Sequence, residues 1–293
     1  MTDGNTANDT HASKPDPVTP GERAAFERDG YHLLRPLFTA AEAAEWRNRI
    51  NHVFGFPAEP NATPQIAGAT HTRADGVTTN DDFWPVIFNE RLLASVRALI
   101  GDDIRYTQHS DLHINLPGGR WHRDSACRDF GVGADWDERE VPYQVVRVAI
   151  YLSDHTQSNS SLVVLPGTHR HESRLRRAEY VFWNKIRSFL RRRGKNDWLP
   201  HWFLSGPRRV VRTQPGDCVI FDQRLLHAGG VIGGAEPKYA IYLSFGIDNQ
   251  HSRNHREFFL NRPTYNPHLP DALRARLKDH GLLLEDSAVT THS

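Results

Sequence analysis

Disulfides cannot be what holds this chain together. Two cysteines, Cys127 and Cys218, occur in 293 residues, which excludes a disulfide-stapled scaffold and points to a reducing compartment. Long hydrophobic runs are missing too. No apolar stretch reaches the roughly 18 residues that a membrane-spanning helix needs, and the mean hydropathy is -0.60. Residues 1–18 lack the apolar core of a signal peptide. An excess of one charge is absent: 36 Lys+Arg meet 35 Asp+Glu, for a net charge of +1. That balance argues against a globally basic nucleic-acid binder. No internal repeat is visible, so a solenoid is excluded. We therefore expect a soluble, cytoplasmic, globular protein with chain enough for a large core. Histidine is what the chain has in quantity, with seventeen, and the question is whether any of them converge.

Residues 1–18 are polar and read as a disordered tail. Thr19-Pro20-Gly21-Glu22 is a capping box with proline at the first helical position, and Gly30 stands where a C-cap belongs. Thr39-Ala40-Ala41-Glu42 repeats the signal and predicts a second helix to about Val53. Asn89 caps a third, with Leu92, Leu93, Val96, Leu99 and Ile100 on one face and Gly101 as its stop. Beyond Gly101 the texture changes. Segments 104–116, 143–152, 161–165, 208–213, 217–221 and 239–247 are rich in β-branched and aromatic residues, are bounded by Pro-Gly or Gly-Gly turns, and predict strands. Helices first and strands later, without a βαβ rhythm, predict an α+β domain with a mainly β core, a sandwich or barrel. One helix interrupts the strands, where Leu175, Ala178, Phe182, Ile186, Phe189 and Leu190 keep a helical period with arginines opposite. A last helix is expected over 270–280. The domain plan is a tail over 1–18, one domain over 19–286 with a basic helical insert over 172–205, and a frayed end over 287–293.

A metal site needs neutral imidazoles and carboxylates that converge. On a strand, residues i and i+2 project to one side, so His-x-Asp or His-x-Glu offers two ligands to one ion. Two histidines and one carboxylate leave coordination positions open, the facial arrangement of non-haem Fe(II) oxygenases. Three such pairs occur: His109-Ser110-Asp111, His122-Arg123-Asp124 and His255-Arg256-Glu257. Context separates them. His122 follows the turn Leu116-Pro117-Gly118-Gly119, where a strand ends and the chain re-enters the sheet. His255-Arg256-Glu257 lies in a polar stretch after the last strand and reads as solvated surface. His109 and Asp111 read as mid-strand residues sharing a face with Thr107, His113 and Asn115. That face is either a hydrogen-bonded polar sheet surface or the lining of a substrate cavity. The third ligand has to come from a distant strand. His227 follows a strand opened by Pro215-Gly216 and precedes Gly229-Gly230, which lets a ligand approach closely. Taken alone it is equally an ordinary loop histidine.

In order along the chain stand Trp121-His122-Arg123-Asp124, Ala149-Ile150-Tyr151-Leu152-Ser153-Asp154, Val163-Val164-Leu165-Pro166-Gly167-Thr168-His169, Pro215-Gly216-Asp217 and His227. This ordered set, with the opening segment 26–38, resembles the phytanoyl-CoA dioxygenase family over roughly residues 20–250. The resemblance implies a double-stranded β-helix (jelly roll, cupin-like) with N-terminal flanking helices and a helical insert. It implies an Fe(II)- and 2-oxoglutarate-dependent dioxygenase in which His122, Asp124 and His227 hold the iron. O2 would be consumed, and succinate and CO2 released, as a substrate C–H is oxidised. Related halogenases have a small residue where Asp124 stands, so hydroxylation is expected rather than halogenation.

In that family an arginine eleven residues after the distal histidine grips the far carboxylate of 2-oxoglutarate, and here the position is Lys238. Lysine is a point charge without arginine's bidentate fork. Arg147 offers a second cation. Val146, Val148, Ile150 and Leu152 form an aliphatic face, which should pack on the helices and turn Arg147 into the barrel. Lys238 shares a face with Ala240, Tyr242 and Ser244. The alternatives are a structural salt bridge for Arg147 and an exposed strand end for Lys238. The resemblance also implies that the strand before His122 lines the cavity. That makes His109 and Asn115 candidate co-substrate contacts, and Asp111 and His113 candidate substrate contacts.

Segment 174–195 carries nine Lys+Arg against one acid, Glu179, so the rest of the chain is net acidic. It reads either as a basic lid admitting an anionic or thioester-linked substrate, or as a solvated helix face. Arg191-Arg192-Arg193 beside Trp183, Trp198 and Trp202 has the makings of a single-strand nucleic-acid surface, but no matching signal occurs elsewhere in the chain. The expected partner is a small-molecule substrate: a metabolite, a natural-product intermediate or an acyl thioester. Two other readings stay open, a metal-binding jelly roll that does not use 2-oxoglutarate and a non-catalytic binding module.

Overall fold

A computed structural model describes residues 18–59, 66, 69–116, 121–156, 162–194, 207–229 and 237–285. The expected tail before Val18, the Pro117-Gly118-Gly119 turn, the insert beyond Gly194 with Trp198 and Trp202, and the frayed end lie outside the described residues. Val18, assigned to the tail from composition, is instead buried against the main core.

Both capping boxes form. Thr19 caps α1 (Pro20–Asp29) and Thr39 caps α2 (Ala40–Val53); each threonine side chain accepts from the backbone N–H of its glutamate, whose carboxylate returns the bond. Gly30 closes α1 in the left-handed region at φ 84°. Asn89 caps α3 (Glu90–Ile100), and Leu92, Leu93, Val96, Leu99 and Ile100 are all buried. Each contributes about 1.5–3 kcal/mol of apolar burial, which is what anchors so short a helix.

Among the described residues two antiparallel sheets form. The larger runs in the order β1 (Tyr31–Leu34), β8 (Cys218–Asp222), β5 (Val145–Tyr151), β10 (Tyr239–Ile247), β4 (Asp111–Ile114), β2 (His71–Ala74), with β3 (Ile104–Tyr106) also on β10. The smaller runs β7 (Arg209–Val211), β6 (Leu162–Val164), β9 (His227–Gly229). Strand alternation divides the faces. Val146, Val148 and Ile150 of β5 join Tyr239, Ile241, Leu243 and Phe245 of β10 in the core shared with the helices. Ala149, Tyr151, Val219, Phe221 and Ala240 turn the other way, onto Leu162, Val164 and Val211 of the smaller sheet. The result is the jelly roll expected from the resemblance, with helices on the outer face of the larger sheet. Arg147 and Lys238 both lie on the inner side.

The strand expected over 104–116 is two strands. β3 ends with Tyr106 opposite Phe245, and β4 begins with Asp111 opposite Tyr242. Two residues of β10 therefore face four, and the excess leaves the ladder as a bulge. Gln108 takes φ 54° within it. The bulge carries His109 off the strand face it was expected to share with His113. A second correction concerns His255-Arg256-Glu257. That segment belongs to α5 (Gln250–Leu260), in which His255 and Arg256 are buried rather than solvated, because the helix packs across the bulge. The basic helix is α4 (Arg174–Arg191), and α6 (Asp271–Asp279) closes the described chain. On α4, Tyr180 packs against the cluster of Trp121, Leu165 and Leu226, while Leu175, Val181, Phe182 and Phe189 are exposed.

Candidate metal centre

His122 and His227 come from segments far apart in sequence and are joined by an antiparallel bridge, with reciprocal backbone N–H···O bonds of 2.9 and 3.0 Å. Two residues on, the Asp124 N–H donates to Gln223 O at 2.8 Å. These backbone bonds fix where the side chains meet. Asp124 Oδ1 lies 3.5 Å from His122 Nε2, and Asp124 Oδ2 lies 3.7 Å from His227 Nε2. One donor atom from each of the three lies within 4.8 Å of the others. That spacing suits a single divalent ion with two imidazole nitrogens and one carboxylate oxygen.

Protonation agrees with ligation. His227 Nδ1 is 2.9 Å from Leu225 O, a pure acceptor, so Nδ1 carries the proton and Nε2 offers its lone pair. Burial, with His122 alongside, pushes His227 down to about 4, so it is a neutral imidazole near pH 7. Burial alone would raise Asp124, but His227, His122 and Arg147 together hold its carboxyl well below the usual carboxylate range. His122 is the most open of the three, with its side chain about a third exposed at 34%, so the centre opens on that side.

Arg123, between the two ligands of the His-x-Asp pair, is fully buried and faces away from them. Its guanidinium donates to Arg224 O at 2.8 Å, to Arg128 O at 3.2 Å and to Glu172 Oε1 at 3.0 Å. This caged cation pins the loop, which lies outside regular strand, so that His122 and Asp124 share a side. The His-x-Asp pattern does not single out Arg123, although alternation alone puts it opposite the ligands.

The other candidates separate into two groups. Arg147 is buried and committed: one terminal nitrogen pairs with Asp111, the other donates to His109 O at 2.8 Å, and Nε lies 3.9 Å from Asp124 Oδ2. Asp111 also accepts from the Tyr265 hydroxyl at 2.8 Å. His109 contacts His255 at 3.0 Å, lies 3.6 Å from Asp111 and stacks on Phe259 at 3.4 Å between ring centroids. Tyr265, His255 and Phe259 thus join the buried cluster around Asp111 and His109 from a region whose polar sequence gave no sign of it. The second group surrounds Lys238. Asn115, at φ 55°, donates to the carbonyls of Ile66 and Ala69 and accepts from the Lys238 N–H at 2.9 Å. Its side chain is spent on backbone, so it positions Lys238. The Lys238 ammonium is 5.8 Å over the Tyr151 ring, and burial pushes it down to about 8. His113, pushed down to about 4 by burial, has an Nδ1 with no hydrogen-bond partner among the described residues.

The phytanoyl-CoA dioxygenase model matches residues 26–238. The chain belongs to that family. Curated relatives include the ectoine dioxygenases of Sphingopyxis alaskensis, 28% identical over 165 residues (53% of this chain, 51% of that protein), and of Stutzerimonas stutzeri, 29% identical over 156 residues (50% and 49%). The chain spans about half the length of the curated relatives it matches. Solved structures share the fold. EctD from S. alaskensis with 2-oxoglutarate and 5-hydroxyectoine aligns at TM-score 0.53 and 18% identity, covering 80% of this chain and 78% of that one. HygX from Streptomyces hygroscopicus with nickel and 2-oxoglutarate aligns at TM-score 0.55 and 16% identity, covering 78% and 87%.

Proposed function

We propose that this protein is an Fe(II)- and 2-oxoglutarate-dependent dioxygenase that oxidises an unactivated C–H of a small molecule, with His122, Asp124 and His227 as the metal ligands. The observation that carries the reading is the convergence of these three donors, two imidazoles and an ionised carboxylate, between the sheets of a phytanoyl-CoA dioxygenase fold. When bound, the iron with 2-oxoglutarate and O2 supplies the oxidising chemistry, released as succinate and CO2.

The chain's own residues position and exclude. Arg123 locks the ligand loop. Arg147 steadies Asp124 through its long contact and is neutralised by Asp111, so it acts as a positioning residue. Lys238, cavity-facing and buried, takes the far carboxylate of 2-oxoglutarate, and the open Nδ1 of His113 lies on the same inner strand face to add a hydrogen bond. Two groups around one anion replace the fork that arginine would supply. Phe221, beside His227 at 4.7 Å between rings, and Tyr242 beneath Arg147 keep water from the inner side. Ectoine belongs in the first screen, since it names the reaction of the curated relatives. Domain boundaries follow the same reading, with residues 18–286 as one oxygenase domain, Val18 being part of its core, and α4 within an insert beside the metal-bearing sheet.

Anaerobic titration with Fe(II) and then 2-oxoglutarate tests this. A visible metal-to-ligand charge-transfer band is expected, followed by succinate once O2 is admitted. Asp124→Ala should lose both, by at least about 100-fold in rate. Lys238→Ala should raise the KM for 2-oxoglutarate with a smaller change in kcat, and Lys238→Arg should recover it. Tight metal binding without band or succinate would instead favour a metal-binding jelly roll that does not use 2-oxoglutarate.

A further inference from the structure

A chain of direct contacts reaches the metal carboxylate from beyond β10. The Tyr265 hydroxyl donates to Asp111 Oδ1 at 2.8 Å, and Asp111 Oδ2 pairs with a terminal nitrogen of Arg147. Arg147 Nε in turn lies 3.9 Å from Asp124 Oδ2. That is an ion pair but not a hydrogen bond, and among the described residues Nε has no hydrogen-bond partner. The same Asp124 oxygen lies 3.7 Å from His227 Nε2.

A buried arginine beside a ligand carboxylate is a competitor for it. Guanidinium and carboxylate close to a two-bonded fork at about 2.7–2.9 Å where nothing prevents it, and oxygens engaged in that fork are poorer donors to an ion. Arg147 is held short of this by its other contacts. Asp111 takes one terminal nitrogen, the His109 carbonyl takes the other at 2.8 Å, and the Tyr242 ring centre lies 5.3 Å from the guanidinium carbon. Neighbouring elements set these contacts. The bulge at 107–110 presents the His109 carbonyl. Gln108, in the same bulge, donates to Asn266 O at 2.8 Å, which ties down the segment that seats Tyr265 on Asp111. With one Asp111 oxygen on Tyr265 and the other on Arg147, the carboxylate is braced against rotation.

We propose that Tyr265 and Asp111 are positioning residues that hold Arg147 back from the metal carboxylate, so that Asp124 stays available to the ion. The restraint rests on the metal-site reading above and deepens it. It gives Asp111 and Arg147 a task other than the substrate and co-substrate contacts expected from the sequence. It also assigns part of the tuning of the centre to Tyr265, which lies outside the family-matched residues 26–238.

The test uses the whole protein without 2-oxoglutarate, with Ni(II) alone as the probe and calorimetry as the readout. Asp111→Asn leaves Arg147 a buried cation whose remaining ion-pair partner among the described residues is Asp124. That variant should bind Ni(II) at least about tenfold more weakly than the parent. Adding Arg147→Met removes the competitor and should restore affinity to within about threefold of the parent. Tyr265→Phe, which deletes one oxygen, should weaken binding about threefold or more in the parent and have no effect in the Asp111→Asn/Arg147→Met background. A purely structural role predicts the opposite pattern: the second substitution deepens the loss, and Tyr265→Phe acts alike in both backgrounds. Either of those results, or unchanged affinity in Tyr265→Phe, overturns the restraint. If Asp111→Asn alone does not fold, the two Tyr265→Phe comparisons decide. Ni(II) binding that Asp124→Ala leaves unchanged overturns the metal-site reading and the restraint with it. Normal Ni(II) binding with no succinate formed from Fe(II), 2-oxoglutarate and O2 overturns the dioxygenase reading and leaves the restraint standing.

Discussion

Arg123 and Glu172 show how much of the centre is held from behind. Arg123→Met leaves Glu172 buried without its cation, a loss of about 3–5 kcal/mol, whereas adding Glu172→Gln should return part of it. Urea denaturation of the two single variants and the double gives the coupling energy, and additive effects would show that the cage does not act as a unit. Asp75 makes a pH prediction. It is buried at φ 55° and accepts from Ser110 at 3.3 Å, and burial pushes its carboxyl up to about 7. The folded state therefore holds this proton where the unfolded chain, near 4, has released it. From about pH 4 to 7 stability falls as pH rises, with a slope of up to about 1.4 kcal/mol per pH unit from this group. Asp75→Asn keeps the acceptor and tolerates the backbone. The variant should gain on the parent between pH 5 and 8 in thermal unfolding, and parallel pH profiles would contradict the assignment.

At the scale of elements, turns and bulges decide where side chains arrive. Gly216, at φ 91°, accepts the N–H groups of Leu37 and Phe38 at 2.8 and 3.1 Å and so docks the entry of α2 onto the sheet. A Cβ there would lie 1.9 Å from Phe38 O, a backbone atom that cannot yield. Gly216→Ala should cost about 3 kcal/mol or more in urea denaturation. Gly21→Ala, in α1 with nothing within 4 Å of the new methyl, should stay within about 1 kcal/mol of the parent and on the stabilising side. The bulge at 107–110 has the matching functional effect: it lifts His109 out of β-register and onto Phe259 of α5.

For the molecule as a whole, the proposed function has metal and co-substrate binding the assembled triad and not the unfolded chain. Ni(II) with 2-oxoglutarate at about 100 times their dissociation constants should add about 2.7 kcal/mol, a rise of several degrees in Tm. A chelator should reverse it, and His227→Ala should show no rise. A rise of the same size in His227→Ala would place the metal elsewhere. The elements added after β10 belong to this scale as well. α5 and Tyr265 pack onto His109 and Asp111 beside the triad, so these elements are expected to unfold with the sheets rather than as an appendage.

The capping boxes at Thr19 and Thr39, the buried stripe of α3 and the inward turn of Arg147 and Lys238 were legible in the sequence because helix and strand periods are local. The His122-Arg123-Asp124 pair was legible for the same reason, and His227 once the order of motifs was read as a family resemblance. Pairing was not legible. That four residues of one strand face two of another, that Arg147 meets Asp111 rather than open cavity, and that His255 is buried against His109, 146 residues away, are outcomes of packing between distant segments. Local composition carries no record of such contacts. Sequence alone offered the donors from which a metal site could be built, because their spacing is local, and the tertiary structure decided which of them converge and which charges around them, such as Arg147 against Asp111, were already neutralised.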